Sequence, residues 1–320
     1  MPSRPRPSLS KKPHSAGWPR ELSRLFPQAR LDEPLSRHTT FRIGGPADAY
    51  VVADSLSALR SLLRFARRER VPVFLLGLGS KLLVMDGGVR GVVVRLGGEF
   101  CRLDFGRGAS VRAGAGAPLA RLLGECAGRG LSGAEPLAGI PGSVGGALVM
   151  NAGTSEGDIG GLVRSVKVLE ARTLRARALP ASRLRFGYRS SGLRGRIVLG
   201  ATLGLRRGSK VDIIERVKKL QEKRRRTQPV RSFTVGSIFK NPPGQSAAKL
   251  IQDAGLKGTA RGGARISRLH ANFIENFKRA RASDVLRLAE TARREVRRRT
   301  GIELELEMRV VGEKKVPRQS

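Results

Sequence analysis

The spacing of apolar residues between positions 47 and 84 predicts two strands joined by a helix, followed by a third strand. Residues 49–53 and 73–76 are short apolar runs of the kind that form buried strands. Between them apolar residues recur at the spacing of one helix face, at Leu59, Leu62, Leu63 and Ala66. Residues 82–84 are a further strand-like run. We therefore predict a β–α–β unit in the first part of the chain.

The Gly77-Leu78-Gly79-Ser80 segment follows the second predicted strand, where a dinucleotide fingerprint could begin. The third glycine of that fingerprint is missing, and the residues that follow favour a strand where the fingerprint requires a helix. We therefore do not expect a Rossmann site here.

Residues 88–208 are rich in β-branched residues and glycine, which predicts a second α+β domain. Its strand-like runs are 92–94, 163–169 and 197–205, and residues 119–126 have a helical pattern. Between them lies the run Gly-Ile-Pro-Gly-Ser-Val-Gly-Gly at 139–146, followed by Met-Asn-Ala-Gly at 150–153. Backbone N–H groups in such a loop can cradle a pyrophosphate, although a simple glycine-rich turn is the alternative.

Three predicted helices follow. The first covers residues 210–226, is capped by Ser209, and carries an apolar face of Ile213, Ile214, Val217 and Leu220, and we place the start of a third domain at residue 209. The second covers 246–254 and is stopped by Gly255, and the third runs from Ser283 to just before Gly301. The apolar stripe of the third helix is Val285, Leu288, Ala289, Ala292 and Val296.

The last apolar pattern alternates with charged residues over positions 302–310. It predicts a strand with one buried face and one acidic, solvent-facing face. Periodicity does not distinguish Glu307 from Glu303 or Glu305, because all three fall on the same predicted face.

Composition places the chain among globular proteins of two or three domains: 320 residues, 40% hydrophobic and 28% charged. Residues 1–25 are basic and proline-rich, without a secretory signal or an apolar run long enough for a membrane, so we predict a disordered tail and a cytoplasmic protein. Cys101 and Cys126 predict reduced thiols, and the three histidines are too scattered for a metal site. We expect a monomer with no membrane association.

The net charge of +36 raises the possibility of nucleic-acid binding. Basic residues are spread over the whole length, however, and aromatic residues make up only 4% of the chain. The longest basic run, Lys223–Arg226, ends a predicted helix, where cations suit the helix dipole and a solvated helix end is the simple explanation. We predict non-specific adhesion to polyanions and no specific nucleic-acid partner.

The run Gly-Ser-Ile-Phe-Lys-Asn-Pro at 236–242 combines several chemical functions in one loop. Ser237 offers a proton, Lys240 a positive charge and Asn241 an amide. Such a loop can hold an anion, although an ordinary polar turn is the alternative reading of these seven residues alone.

These motifs together resemble the UDP-N-acetylenolpyruvoylglucosamine reductase family. The resemblance runs in order from about residue 25 to 312 and also includes His38–Ala47, Tyr188–Ser190 and Leu304–Glu307. It implies an α+β fold with two FAD-binding subdomains of the vanillyl-alcohol-oxidase (PCMH) type, at 26–87 and 88–208, and a substrate-binding domain at 209–320. It also implies FAD as bound cofactor and NADPH as reductant, for reduction of an enolpyruvyl ether of a UDP-sugar in peptidoglycan precursor synthesis.

By this resemblance the catalytic residues are Ser237 as proton donor, Arg189 as stabiliser of developing negative charge, and Glu307 as its partner. A serine hydroxyl is a weak acid, so Lys240 or a water would have to assist it. We expect Glu307 to help only if it is protonated or shares a proton. Tyr188, Lys240 and Asn241 are the implied substrate-binding residues.

The resemblance assigns FAD to both glycine-rich loops and to one arginine. These residues are Arg42, Gly77, Gly79, Ser80, Gly139, Gly142, Ser143, Gly145 and Gly146. Lys81 stands where the family usually has asparagine, and Leu306 replaces a common proline. The chain lacks the insertion with a tyrosine lid and so resembles the shorter class of the family.

Two alternatives remain at this point. The first is another flavin oxidoreductase on the same fold, which would leave Ser237, Arg189 and Glu307 without a shared purpose. The second is a basic nucleic-acid-binding protein without catalysis. The colour of the purified protein distinguishes an FAD enzyme, which is yellow, from the second alternative.

Overall fold

The structure is a computed structural model and describes residues 17–106 and 108–315. Its α-helices are α1 (Trp18–Leu25), α2 (Leu56–Arg68), α3 (Leu119–Gly128), α4 (Val144–Met150), α5 (Lys210–Thr227), α6 (Ala247–Asp253) and α7 (Ala282–Thr300). Its strands are β1 (Arg30–Pro34), β2 (Pro46–Ala53), β3 (Val73–Leu76), β4 (Leu82–Val84), β5 (Val89–Leu96), β6 (Leu103–Phe105), β7 (Ser110–Gly114), β8 (Leu131–Ser132), β9 (Gly153–Thr154), β10 (Gly157–Asp158), β11 (Val163–Leu169), β12 (Ala176–Pro180), β13 (Ile197–Gly204), β14 (Arg206–Arg207), β15 (Ala260–Arg261), β16 (Ala264–Ile266), β17 (Ile274–Asn276) and β18 (Arg309–Val311).

The first subdomain is a sheet of order β1-β2-β5-β3, in which β5 pairs in parallel with both β2 and β3. Helix α2 is the crossover between β2 and β3, as the apolar spacing predicts. Leu59 and Leu62 of α2 are fully buried against Val92 and Val94 of β5. Amphipathic burial of this helix thus holds the parallel strands together.

Strand β5 corrects the predicted boundary at residue 88. It lies inside the first sheet, between β2 and β3, so the strands of this subdomain reach Leu96. Parallel pairing brings together strands that are distant in sequence, and periodicity carries no information about it. Helix α1 is a second correction, because Trp18 and Leu22 are buried in the same core and residues 18–25 therefore are not a disordered tail. Residues 1–16 of the predicted tail lie outside the described residues.

The second subdomain is an antiparallel sheet of order β12-β11-β13-β7-β6. Its core includes Leu122 of α3, Leu148 of α4 and Val166 of β11. Helix α5 packs on the same core through Val217 and Leu220, so α5 belongs to this subdomain and the predicted boundary at 209 is about twenty residues early.

Helix α5 is also less buried than predicted. Ile213 is buried and Ser209 accepts a hydrogen bond from the Asp212 N–H as the predicted cap, but Ile214 is 41% exposed. The helix therefore contacts the subdomain along a narrow stripe.

The third domain packs α6 and α7 against a small sheet of order β15-β16-β17. The predicted stripe of α7 is buried, and Gly301 ends the helix with φ +74°. Its first N–H groups, on Ala282 and Ser283, donate to the Asp86 carboxylate at 2.8 and 3.2 Å, which ties this domain to the first subdomain.

The predicted strand at 302–310 is wrong over most of its length. Only Arg309–Val311 forms a strand, β18, which pairs in parallel with β4 of the first subdomain. Glu307 and Met308 are both buried, so the alternation breaks where the chain enters the interface between domains. In residues 17–106 and 108–315 we find no helix with the length and apolar character to cross a membrane.

A candidate active site between the three domains

A cavity of about 850 Å³ lies where the three domains meet. Its walls include the 77–82 segment after β3, the 138–147 segment leading into α4, and Arg189. The third domain adds Ser237 and Glu307. The three predicted catalytic residues, which are far apart in sequence, therefore line one cavity.

The two glycine-rich loops face each other across a narrow gap. A Cβ atom on Gly77 would lie 2.7 Å from the Ser143 hydroxyl, and one on Gly142 would lie 3.2 Å from the Ser80 hydroxyl. Gly79 has φ +63°, and a Cβ atom there would lie 2.3 Å from the backbone oxygen of His38. A larger side chain at these positions would collide with the neighbouring segment, so glycine is what allows the close packing of the loops around the cavity.

Most of the predicted cofactor residues line this cavity, and two do not. Gly77, Gly79, Ser80, Gly142, Ser143, Gly145 and Gly146 are part of its wall. Gly139 lies behind it, where an added Cβ would be 3.1 Å from Cδ of Arg224.

Arg42 is the second predicted cofactor residue that does not line the cavity. Its guanidinium stacks on Phe233, 3.9 Å from the ring centroid, in a separate basic cleft of about 1700 Å³. Because Arg42 does not line the cavity, the structure does not support the predicted flavin contact.

Arg189 occupies a tight turn whose geometry holds its guanidinium in the cavity. Gly187 and Ser190 exchange both backbone hydrogen bonds, at 3.0 and 3.1 Å, and Arg189 has φ +55°. A left-handed arginine costs roughly 1–3 kcal/mol and persists only where its surroundings impose it. Its Nε donates to Oε1 of Glu307 at 2.9 Å.

Asn151, in the predicted Met-Asn-Ala-Gly motif, holds this turn from behind. It is 2% exposed, and its Nδ2 donates to the backbone oxygen of Gly187 at 3.0 Å and to Asp158 at 2.9 Å. Its Oδ1 accepts from the Gly160 N–H at 3.0 Å. The motif therefore positions Arg189 as well as closing the end of α4.

Glu307 is buried with two cations on one of its oxygens. Its side chain is 5% exposed, and Oε1 accepts from both Arg189 Nε and Lys81 Nζ, each at 2.9 Å. Two cationic donors suit an ionised carboxylate, whereas a protonated one would be a weaker acceptor. That Glu307 helps catalysis only if it is protonated or shares a proton stays a prediction.

Ser237 lies on a single bridge to Phe273, at the edge of the third domain. Its hydroxyl has no hydrogen-bond partner among residues 17–106 and 108–315, and Ser237 lines the cavity. Its backbone oxygen accepts from Lys81 Nζ at 2.7 Å. Lys81 thus contacts both Ser237 and Glu307.

The predicted substrate-binding residues form a group outside the cavity wall. The Asn241 N–H lies 3.4 Å from the hydroxyl of Tyr188, which is 59% exposed. Lys240 Nζ lies 2.5 Å from Glu305 Oε1. Glu305 is 72% exposed, so this pair does not hold Lys240 in one place, and assistance of Ser237 by Lys240 or a water stays a prediction.

Arg224 is the cavity residue that sequence reasoning missed. It lines the cavity, and its Nε is buried with no hydrogen-bond partner in the described part of the chain. Burial holds the pKa of Arg224 below its ordinary value. The helical spacing indicates this placement, because Arg224 lies on the same helix face as Val217 and Leu220. The interpretation of residues 223–226 as a solvated helix end is therefore wrong for Arg224.

The lining as a whole suits a large anionic cofactor. Among the described residues it has eight cationic side chains, Lys81, Arg95, Arg189, Arg194, Arg196, Lys223, Arg224 and Arg309, and two acidic ones, Glu156 and Glu307. FAD carries a pyrophosphate and a large flat ring. The two glycine-rich loops, 77–80 and 139–146, which we call the glycine cradle, fit this cofactor together with the unpaired Arg224 Nε and the cationic wall.

The fold and the cavity define the class of protein as a flavoprotein oxidoreductase, in which the two glycine-rich loops would hold FAD. Residues 47–175 match a family model described as "FAD binding domain". Residues 228–311 match a second model, described as "UDP-N-acetylenolpyruvoylglucosamine reductase, C-terminal domain". These matches confirm the predicted fold class.

Whole-chain relatives identify the family. The UDP-N-acetylenolpyruvoylglucosamine reductase of Syntrophotalea carbinolica is 43% identical over 290 residues, covering 90% of this chain and 96% of that protein. The Moorella thermoacetica protein of the same name is 45% identical over 287 residues, covering 89% and 94%. The crystal structure of this reductase from Thermus caldophilus has a TM-score of 0.75 at 39% identity, covering 88% of this chain and 98% of that one. The chain belongs to the UDP-N-acetylenolpyruvoylglucosamine reductase family.

Proposed function

We propose that this protein uses NADPH, through bound FAD, to reduce the enolpyruvyl ether of UDP-N-acetylglucosamine to the lactyl ether of UDP-N-acetylmuramate. The observation that carries the proposal is the convergence of Ser237, Arg189 and Glu307 on one cavity beside the glycine cradle. Family membership supports the same activity. The two alternatives left open by the sequence are not retained, because neither gives these three residues a common role.

When bound, FAD supplies the hydride that adds to the terminal vinyl carbon of the enolpyruvyl group. The substrate carboxylate then takes up a second negative charge. Arg189, held rigidly by its turn, places a guanidinium where that charge develops. Ser237 donates its proton to the neighbouring carbon, which completes the saturated ether.

Preorganisation of the Arg189 guanidinium gives the strained turn a catalytic role. A donor that is already aligned before the charge develops needs no reorganisation during the reaction. Loss of one such donor typically lowers turnover by about 10²–10³-fold. We assign Arg189 a contribution of this order.

The third domain is the proposed binding site for the UDP-sugar. Tyr188, Lys240 and Asn241 lie together at the cavity's side, where a substrate extending from the reaction centre would pass. On substrate binding, Lys240 would exchange its ion pair with Glu305 for one with a phosphate group of the substrate. We further propose a cytoplasmic monomer, since UDP-sugars and NADPH are cytoplasmic metabolites.

The test separates the two halves of the reaction. The purified protein should be yellow, and anaerobic NADPH should bleach the flavin of both the wild type and Ser237→Ala at the same rate. Addition of the enolpyruvyl substrate should restore the colour of the wild type rapidly and that of Ser237→Ala very slowly. Ser57→Ala, at an exposed position of α2, is the matched control and should behave as the wild type.

Each failure has a distinct meaning. A reduced wild type that the substrate does not reoxidise would refute the proposed activity. Reoxidation of Ser237→Ala at the wild-type rate would refute only the role of Ser237 as proton donor.

A further inference from the structure

We propose that Lys81 is a positioning residue of the reaction centre, which holds Glu307 and Ser237 in place. Its positive charge also replaces the charge of Arg189 that an ionised Glu307 cancels. This inference rests on the proposed function. It concerns a residue that contacts two of the three catalytic groups at once.

The contacts of Lys81 are short and directional. Its Nζ lies 2.9 Å from Oε1 of Glu307 and donates to the backbone oxygen of Ser237 at 2.7 Å. The side chain is 24% exposed, and Glu307 is 5% exposed. A lysine that bridges a buried carboxylate and a backbone carbonyl fixes the separation of the two segments that carry them.

The backbone on either side of these contacts is fixed as well. The Arg309 N–H donates to the backbone oxygen of Lys81 at 2.9 Å, and β4 and β18 then pair in parallel from Leu82 and Arg309 onward. Glu307 lies two residues before β18. Lys81 also follows directly on the Gly77–Ser80 loop, so the cofactor cradle and the reaction centre share one rigid segment.

Charge is the second part of the inference. Arg189 and an ionised Glu307 in contact have no net charge, whereas the reaction creates a substrate dianion that needs positive charge beside it. Lys81 makes the three-residue group +1. Glu307 can then remain ionised, orient Arg189 and still leave the site attractive to the developing negative charge.

The environment of Lys81 adds a pH dependence. Burial lowers the pKa of Lys81, with smaller contributions in the same direction from Arg189 and Arg224, while Glu307 acts in the opposite direction. Its positive charge is therefore lost at a lower pH than that of an exposed lysine, as pH rises through this lowered pKa. The reoxidation rate should fall on that alkaline side.

The experiment compares Lys81→Met with Lys81→Arg in the FAD-loaded enzyme. For Lys81→Met we expect the reoxidation rate to fall by about tenfold or more, and by more than the rate of bleaching by NADPH. Lys81→Arg should recover most of the rate and should keep it at alkaline pH, because a guanidinium does not lose its proton there. Lys249→Met removes a lysine from an exposed ion pair with Asp253 and is the matched control, expected to match the wild type.

Binding of the product, UDP-N-acetylmuramate, provides a readout besides activity. The product carries one negative charge on its carboxylate, so calorimetric titration should find a smaller loss of affinity in Lys81→Met than the loss of rate. Equal losses of affinity and rate would overturn the charge role, since they would mean that Lys81 binds the ground state and the transition state alike.

Two further outcomes would overturn the inference without touching the proposed function. One is a Lys81→Met enzyme that reoxidises at the wild-type rate. The other is a Lys81→Arg enzyme with the same alkaline loss of rate as the wild type. A wild type that the substrate does not reoxidise would instead refute the proposed function itself.

Discussion

Replacement of Asn151 by alanine tests whether a buried amide holds the turn that carries Arg189. The change removes three hydrogen bonds, to Asp158, Gly187 and Gly160, at 2.9–3.0 Å. At about 1 kcal/mol each they amount to about 3 kcal/mol. Asn151 also has φ +46°, and alanine in that conformation costs about 1 kcal/mol more than asparagine or glycine.

The expected loss of stability for Asn151→Ala is therefore about 4 kcal/mol, and for Asn151→Gly about 3 kcal/mol. Urea unfolding followed by circular dichroism measures both free energies. The difference between the two variants isolates the backbone cost from the loss of hydrogen bonds. Turnover should also fall, by up to about 10²-fold, because a shift of about 1 Å in a catalytic group can cost that much.

A positive control for the kinetic part is substrate-independent bleaching of FAD by NADPH, which should be retained by any folded variant. If the free energy of unfolding of Asn151→Ala lies within about 0.5 kcal/mol of the wild-type value and its turnover is normal, the backbone turn at Arg189 does not depend on this amide. The strain at Arg189 would then need another explanation.

Three further predictions follow from single residues. Gly79→Ala should purify with little FAD, seen as a low ratio of flavin to protein absorbance, because its Cβ would lie 2.3 Å from the His38 oxygen; full FAD content would contradict the cradle. Arg224→Met should raise the melting temperature of the FAD-free protein while weakening its calorimetric affinity for FAD or product, because the change removes a buried, unpaired polar atom; a lower melting temperature would contradict this. Burial raises the pKa of Cys126 to about 12, so iodoacetamide should leave Cys126 unmodified in the native protein at pH 8 and should react, if at all, at Cys101. Mass spectrometry of peptides measures the labelling of each cysteine, and labelling of Cys126 would contradict its burial.

Local patterns in the sequence predict local structure well in this chain. The stripe of α7 is buried as its spacing indicates, and Gly255 and Gly301 end their helices with positive φ. Ser209 and Ser246 cap the helices that they precede. These features depend on residues within one or two helical turns of each other, which is the range over which periodicity and capping act.

The predicted domain boundaries differ from those of the structure where packing between distant parts of the chain sets the boundary. Strand β5 lies between β2 and β3 in the first sheet although it follows both in sequence, and α5 packs on the second subdomain that precedes it. Trp18 is buried against a core formed far along the chain. None of these placements leaves a signal in the local sequence.

Glu307 was predicted by resemblance and misjudged by periodicity, for a physical reason. Alternation predicts a solvent-facing side chain only where the segment is a strand with one open face. Residues 302–308 instead run along the boundary of two domains, where Lys81 and Arg189 supply the donors that make burial of a carboxylate tolerable. A break in alternation at an acidic residue is therefore evidence for a partner in another domain.

The high arginine content of the chain hides the functional cations, because number and local density do not distinguish them from surface residues. What distinguishes them is the environment. Arg121 and Arg129 form exposed pairs with Glu125 on α3, and such pairs contribute little. The buried Nε of Arg224 has no hydrogen-bond partner within residues 17–106 and 108–315, and Lys81 contacts two segments of another domain. Among the described residues, Arg224 is buried without a carboxylate partner and Lys81 shares Glu307 with Arg189, so both leave positive charge at the same cavity, where it attracts an anion.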